Sequence, residues 1–316
     1  KPLLIISLVL ITSGFALSVT FHWQVNWLKL KELEFHLVSW PHYLKEDNNK
    51  ITLTEDRVAI YPIDTNKRRL ARKVESLRAN GYKMRNNPPF LFTDNYDWSY
   101  NPNNDRNWQF KLNSWDMLVP FFQLHELTKD KTLLHTPREI ARDWIDYNLI
   151  KGNPNAFKWY DMSTGLRAVQ LAILLTHEFK GNSHSTLLPK LIYAAKIHID
   201  VLQQPELLSQ GNHGLFQLVG LASLCKVLDK LNSCVSAQQY IKTFFPTLIK
   251  KQFSEEGIHL EHSSQYHPWA IVILENIKKL NLFDPSLFDV LAKAKNNAKW
   301  FFQPDGLTNL FGDSGR

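Results

Sequence analysis

From Trp108 to the end of the chain, apolar residues recur at helical spacing with no convincing strand pair between them, and that pattern constrains the fold more than any motif does. Helices are predicted over about 109–127, 137–149, 163–179, 185–202, 214–231, 236–252, 268–280 and 286–301. The connections carry Pro, Gly or Asn, as in Lys151-Gly152-Asn153-Pro154, Lys180-Gly181-Asn182-Ser183 and Phe283-Asp284-Pro285-Ser286, and each supplies a stop or an N-cap. Such a chain packs as antiparallel helix pairs in a ring or arc, which buries each helix against its neighbours and leaves loops at one end to carry chemistry.

The 316 residues exceed the usual size of one domain, so appended segments are expected. Residues 1–22 form the first: Lys1, the apolar stretch Leu3 to Leu10 and the small residues Gly14 and Ala16 read as a secretory signal, or as an uncleaved N-terminal membrane anchor where the apolar character continues through Phe21. Either reading places the protein in the periplasm or outside the cell. Residues 23–100 are a largely irregular lead, with extended-looking runs at Ile51-Thr52-Leu53 and Val58-Ala59-Ile60-Tyr61 and one helix from Asn66 to Asn80 that stops at Gly81. Residues 101–316 form the helical domain. The chain starts without Met and stops at Ser314-Gly315-Arg316, so a fragment at both ends is expected.

A net charge of +7 and a pI near 9.2 favour an anionic partner. No basic run is interleaved with aromatics as in a nucleic-acid module, and Lys67-Arg68-Arg69 with Arg72-Lys73 reads as the polar face of one helix, so nucleic acid is not the expected partner. Several of the ten Trp adjoin polar residues, as in Asp97-Trp98, Asn107-Trp108 and His267-Pro268-Trp269, a mixture that suits sugar binding as well as a core. Cys225 and Cys234 have neither disulfide-framework nor metal-ligand spacing; Cys225 falls on the apolar side of a helical pattern and is expected to be a buried free thiol.

Three segments between helices are dense in polar groups: Trp159 to Ala168, Gly211-Asn212-His213-Gly214, and Gly257 to His267. Glycines flanking Asn212-His213 allow close backbone approach, and the helix that follows puts both side chains at its mouth, where negative charge is welcome. Other roles stay open for these residues. Asn212 also reads as a helix cap, Arg167 as a partner of Asp161, and His259, His262 and His267 with Glu261 as structural histidines or zinc ligands, although no His-Glu-x-x-His occurs.

Met162-Ser163-Thr164-Gly165-Leu166-Arg167-Ala168, Gly211-Asn212-His213-Gly214 and Glu261-His262-Ser263-Ser264-Gln265-Tyr266-His267 resemble, in the same order, the helical-domain motifs of heparinase II/III-like and alginate lyases. Pro304-Asp305-Gly306 and Gly312-Asp313-Ser314 resemble that family's exit from its helical domain. The resemblance implies an all-α, incomplete (α/α) toroid, with the family's C-terminal antiparallel β-sandwich missing from this chain. It implies cleavage of an acidic, uronate-containing polysaccharide by β-elimination, with no cofactor and no metal. Asn212 and His213 then neutralise the uronate carboxylate and Tyr266 acts as acid or base, while Trp159, Arg167, Glu261, His262 and His267 are expected to bind substrate. A free phenol has a pKa of about 10, so Tyr266 as a base needs cations nearby, with Arg167, His262 and His267 as candidates. The alternative is a noncatalytic protein that binds an exopolysaccharide or capsule strand during assembly or export.

Overall fold

The computed structural model describes residues 64, 66–92, 96–181, 186–229, 231–261, 263–279, 282–303, 307, 309 and 312. The leader at 1–22, the extended-looking runs at 51–53 and 58–61, the exit residues 304–306 and His262 lie outside them. Ten α-helices follow one another in the described residues: α1 (Lys67–Asn80), α2 (Arg106–Asn113), α3 (Val119–Thr128), α4 (His135–Ile145), α5 (Asp161–Gly181), α6 (Leu188–Leu202), α7 (Asn212–Val227), α8 (Asn232–Gln252), α9 (Tyr266–Lys279) and α10 (Val290–Ala298).

Local chemistry sets the ends. The Asn66 side chain accepts the Arg69 N–H, and Asp105 accepts the N–H groups of Asn107 and Trp108, satisfying donors that a helix N-terminus leaves free. The helix expected over 109–127 is instead two, α2 and α3, because Trp115 sits in the left-handed region at φ 59° with its indole wholly buried. That turn redirects the chain before Pro120 opens α3.

Helices α4 and α5, α6 and α7, and α8 and α9 succeed one another as pairs. Contacts run from α5 to α6 and α7, from α6 to α4 and α7, and from α8 to α7 and α6, so the elements form an arc. The fold is all-α, an incomplete (α/α) toroid. Among the described residues no strand forms; Tyr82 with Phe90 and Phe253 with His259 make only isolated antiparallel bridges. The inner helices α5 and α7 are buried on most sides, and their backbones touch: a Cβ on Gly165 would lie 2.3 Å from the Phe216 carbonyl oxygen, and one on Gly220 2.3 Å from that of Gly165. The glycine of the Met162–Ala168 motif therefore serves helix packing.

Tyr82, Phe90 and Trp98, from the lead before the helical array, join the same core as α5 and α7. Trp98 and Trp108 are fully buried, their indole N–H groups donating to Asp143 Oδ1 (2.8 Å) and the Tyr100 carbonyl (3.0 Å), so neither presents a face to a sugar. Their polar neighbours in sequence reflect partners for the indole, not a binding surface. The free-thiol expectation also fails. Cys225, in the last turns of α7, and Cys234, in the first turn of α8, form a disulfide across a Cα–Cα distance of 5.2 Å, because the short α7–α8 reversal brings the two turns together.

Candidate active site

Because the helices alternate in direction, α5, α7 and α9 begin at one end of the arc, and their first turns meet there. Asp161 opens α5, Asn212 and His213 open α7, and Tyr266 opens α9. His213 Nδ1–H donates to Asp161 Oδ2 at 3.0 Å across 52 residues of sequence. Asn212 Nδ2 donates to Glu261 Oε1 at 2.9 Å across 49. Tyr266 packs edge-on to Trp269 (6.0 Å), which in turn meets Phe216 of α7 (6.0 Å), so aromatic contacts tie the start of α9 to the start of α7. Trp269 is 37% exposed and is the one tryptophan of the three polar-flanked pairs that faces solvent.

Asn212 is the first helical residue of α7, whose N-cap Gly211 offers no side chain. Its amide reaches across to Glu261 instead of capping its own helix, which settles the cap alternative. Gly214 is required for the local turn, since a Cβ there would lie 2.1 Å from the Ser209 carbonyl oxygen. Three helix N-termini at one mouth give a positive end potential that favours an anion.

The electrostatics of His213 follow from its partner. The hydrogen bond that it donates to Asp161 raises its pKa above the ordinary value; partial burial opposes this, and the charges of Asp161 and Glu261 add to the rise while Arg106 opposes it. With Nδ1 bound to Asp161, the imidazolium keeps Nε2–H as a donor, and among the described residues no protein group bonds it. Arg106, exposed at the start of α2, lies over the Tyr160 ring at 5.0 Å, and Tyr160 packs on Phe157 at 4.9 Å. Tyr160 and Asp161 fell within the polar segment Trp159 to Ala168 but were given no role of their own, and Arg106 was not singled out; only its position just ahead of Trp108 could have pointed to it.

Other expected residues lie elsewhere. Arg167 is fully buried, and its guanidinium donates through Nε to His198 Nε2 (2.9 Å) and through its two terminal nitrogens to the carbonyls of Asn113 and Lys158, while stacking 4.0 Å over Trp144. Six residues beyond Asp161 it points roughly 240° round the helix, so it reaches neither Asp161 nor the mouth. It is a core residue in this structure and no ligand can touch it there. Trp159, partly buried, packs edge-on to His198 (5.0 Å) and Trp144 (6.2 Å), with Arg167 5.6 Å from its ring. His267 is fully buried beneath Phe301; its Nε2–H donates to the Ala294 carbonyl (3.0 Å) and its Nδ1 accepts the His259 N–H (3.2 Å). Both ring nitrogens are thus taken by backbone, so His267 is neither a substrate contact nor a metal ligand. Among the described residues no group of three His, Cys, Asp or Glu side chains converges on a metal site.

The architecture is shared with solved lyases. A structure titled heparinase III matches with a TM-score of 0.61 at 17% identity, covering 89% of this chain and 47% of that one. Heparan sulfate lyase HepC from Pedobacter heparinus matches with a TM-score of 0.57 at 20% identity, covering 89% of this chain and 45% of its own. A heparinase III described as the BT4657 gene product matches at 0.55 and 17%, covering 83% and 45%. The chain thus spans a little under half the length of the solved structures it matches, and at these identities the likeness is one of fold. No curated protein matches the chain in sequence. The family model described as heparinase II/III N-terminus matches residues 28–307, and the chain belongs to that family.

Proposed function

We propose that this chain is the helical part of a polysaccharide lyase that cleaves a uronate-containing glycosaminoglycan by β-elimination, with Asn212 and His213 neutralising the uronate carboxylate and Tyr266 moving the proton. The observation that carries the reading is the meeting of the first turns of α5, α7 and α9, with His213 held by Asp161 and Asn212 held at Glu261. A proton beside a carboxylate is weakly acidic until the carboxylate's charge is neutralised and the enolate stabilised. An amide and an imidazolium on adjacent residues at one helix start would supply such preorganised donors. Asp161 raises the pKa of His213 and so favours its charged form, in which Nε2–H donates. The exposed Glu261 carboxylate occupies the Asn212 amide, and a uronate carboxylate takes its place on binding. The C5 proton leaves, the bond from C4 to the glycosidic oxygen breaks, the oxygen is protonated, and an unsaturated uronate remains. In this scheme Tyr266 donates that proton or, with cations such as His213 and Arg106 in the same mouth, removes the first. No cofactor enters the scheme.

Glycosaminoglycan is favoured over alginate because the matched structures carry the names heparinase and heparan sulfate lyase. Export to the periplasm or outside the cell, with a signal or a membrane anchor, is supported by the leader-like first residues and by the Cys225–Cys234 disulfide, a bond that persists in oxidising compartments. The test is ultraviolet absorbance from the unsaturated uronate, using the product of the complete open reading frame on heparan sulfate and alginate. Tyr266→Phe is expected to cost on the order of a thousandfold in kcat with unchanged folding. Retained turnover in that variant removes Tyr266 from the chemistry. Absence of turnover on every uronate polymer, with retention on one in affinity electrophoresis, establishes the noncatalytic binding protein instead.

A further inference from the structure

Near the far end of α5 from Asp161, a shallow, open cleft of about 600 Å³ lies between the last turn of α1 and the start of α4. It is lined by Arg78, Lys131, Thr132, His135, Thr136 and Arg138, so each lining side chain is either a base or a hydroxyl. Three separate elements contribute, which distinguishes it from the charged stripe of a single helix. Two of the cations are fixed. Arg78 lies 5.6 Å over the Phe121 ring and donates to the Thr132 carbonyl (3.4 Å), while Arg138 pairs with the almost wholly buried Glu178 near the end of α5. Among the described residues no carboxylate pairs with Arg78 or Lys131. Asp130 is the other acid near the cleft; its Oδ1 accepts both the N–H and the hydroxyl of Thr132, and its charge acts on Arg78 without a direct ion pair.

We infer that this cleft is a second binding site for the anionic groups, sulfate or carboxylate, of the polysaccharide, separate from the mouth that carries Asn212, His213 and Tyr266. The inference rests on the proposed polyanionic substrate. The two sites lie near opposite ends of α5: Glu178 is seventeen residues from Asp161, about 25 Å at the helical rise. A short oligosaccharide fills the mouth alone, whereas a long chain can engage both and so gains from an effective local concentration.

The 316-residue chain, loaded on immobilised heparan sulfate and eluted with salt, tests this with two charge-matched pairs of substitutions. Arg78→Gln with Lys131→Gln removes two cations of the cleft; Lys67→Gln with Arg68→Gln removes two from the exposed N-terminal turn of α1. The cleft pair is expected to weaken binding of long heparan sulfate roughly tenfold, about threefold per cation, and to leave binding of a heparan sulfate disaccharide unchanged. The exposed Lys131→Gln alone, which disturbs no bond in the structure, is expected to give about half that shift in salt elution, and it guards against misfolding of the double variant. An equal loss from both pairs, or no loss from the cleft pair while wild type is retained, overturns the second site and leaves the lyase reading standing. Wild-type passage through the column without retention overturns both the second site and the polyanion it rests on.

Discussion

Two histidines near α5 meet opposite fates. His213 at the mouth is 43% exposed in its side chain and bound to Asp161, which raises its pKa. His198 in the core is fully buried; burial, then the charge of Arg167, drives its pKa well down, so it stays neutral and accepts the Arg167 Nε–H while its own Nδ1–H donates to the Ala194 carbonyl. Both are anchored by residues of the same helix, Asp161 in its first turn and Arg167 six positions on. The difference teaches that one helix supplies the mouth from one face and the core from another, and that partner and burial decide which histidine favours its charged form.

The comparison can be broken at its buried end first. Arg167→Leu strands two carbonyls and the His198 nitrogen in the core and is expected to cost about 4 kcal/mol of stability, read by denaturant unfolding. A loss near zero would show that the guanidinium can be replaced by apolar packing. Asp161→Asn is the matched change at the exposed end. It is expected to leave the unfolding midpoint nearly unchanged while lowering kcat/KM on the order of tenfold, and to move the alkaline limb of the pH profile to lower pH because the imidazolium loses its anion. A large loss of stability there would make Asp161 a structural residue. The smallest effect sharpens the contrast through pH alone. The raised pKa of His213 contributes stability that is fully present below its ordinary value of about 6.5 and is lost as pH rises through the folded value. His198 acts in reverse, without cost above about 6.5 and destabilising as pH falls below it toward its depressed folded value. Histidine ring resonances followed by NMR should show His213 titrating above, and His198 below, the free imidazole; coincident midpoints would erase the distinction.

Much of this was legible in the sequence for identifiable reasons. Helical periodicity and Gly/Pro punctuation located the array, since they report local backbone preferences. Asn212, His213 and Tyr266 were singled out because the order of their motifs matched a known family, although the sequence set all three just ahead of a helix and not in its first turn. The errors concern side-chain direction. Nothing local in Arg167 or His267 says that it turns inward, because a buried base needs carbonyl partners that come from Asn113, Lys158 and Ala294. The Cys225–Cys234 pair was likewise invisible to spacing rules, since a reversal between helices, not a motif, brings the two together.

The touching backbones of α5 and α7 bear on how such a protein can vary. Gly165 and Gly220 let the two helices lie against one another like fused jaws, about a turn below Asp161 and two turns below His213. The gap between those two side chains is therefore inherited from a contact that involves neither. Drift in the core and drift in the chemistry are not independent here: a lineage that enlarged Gly165 would reset the spacing of its own acid and imidazole without altering either residue.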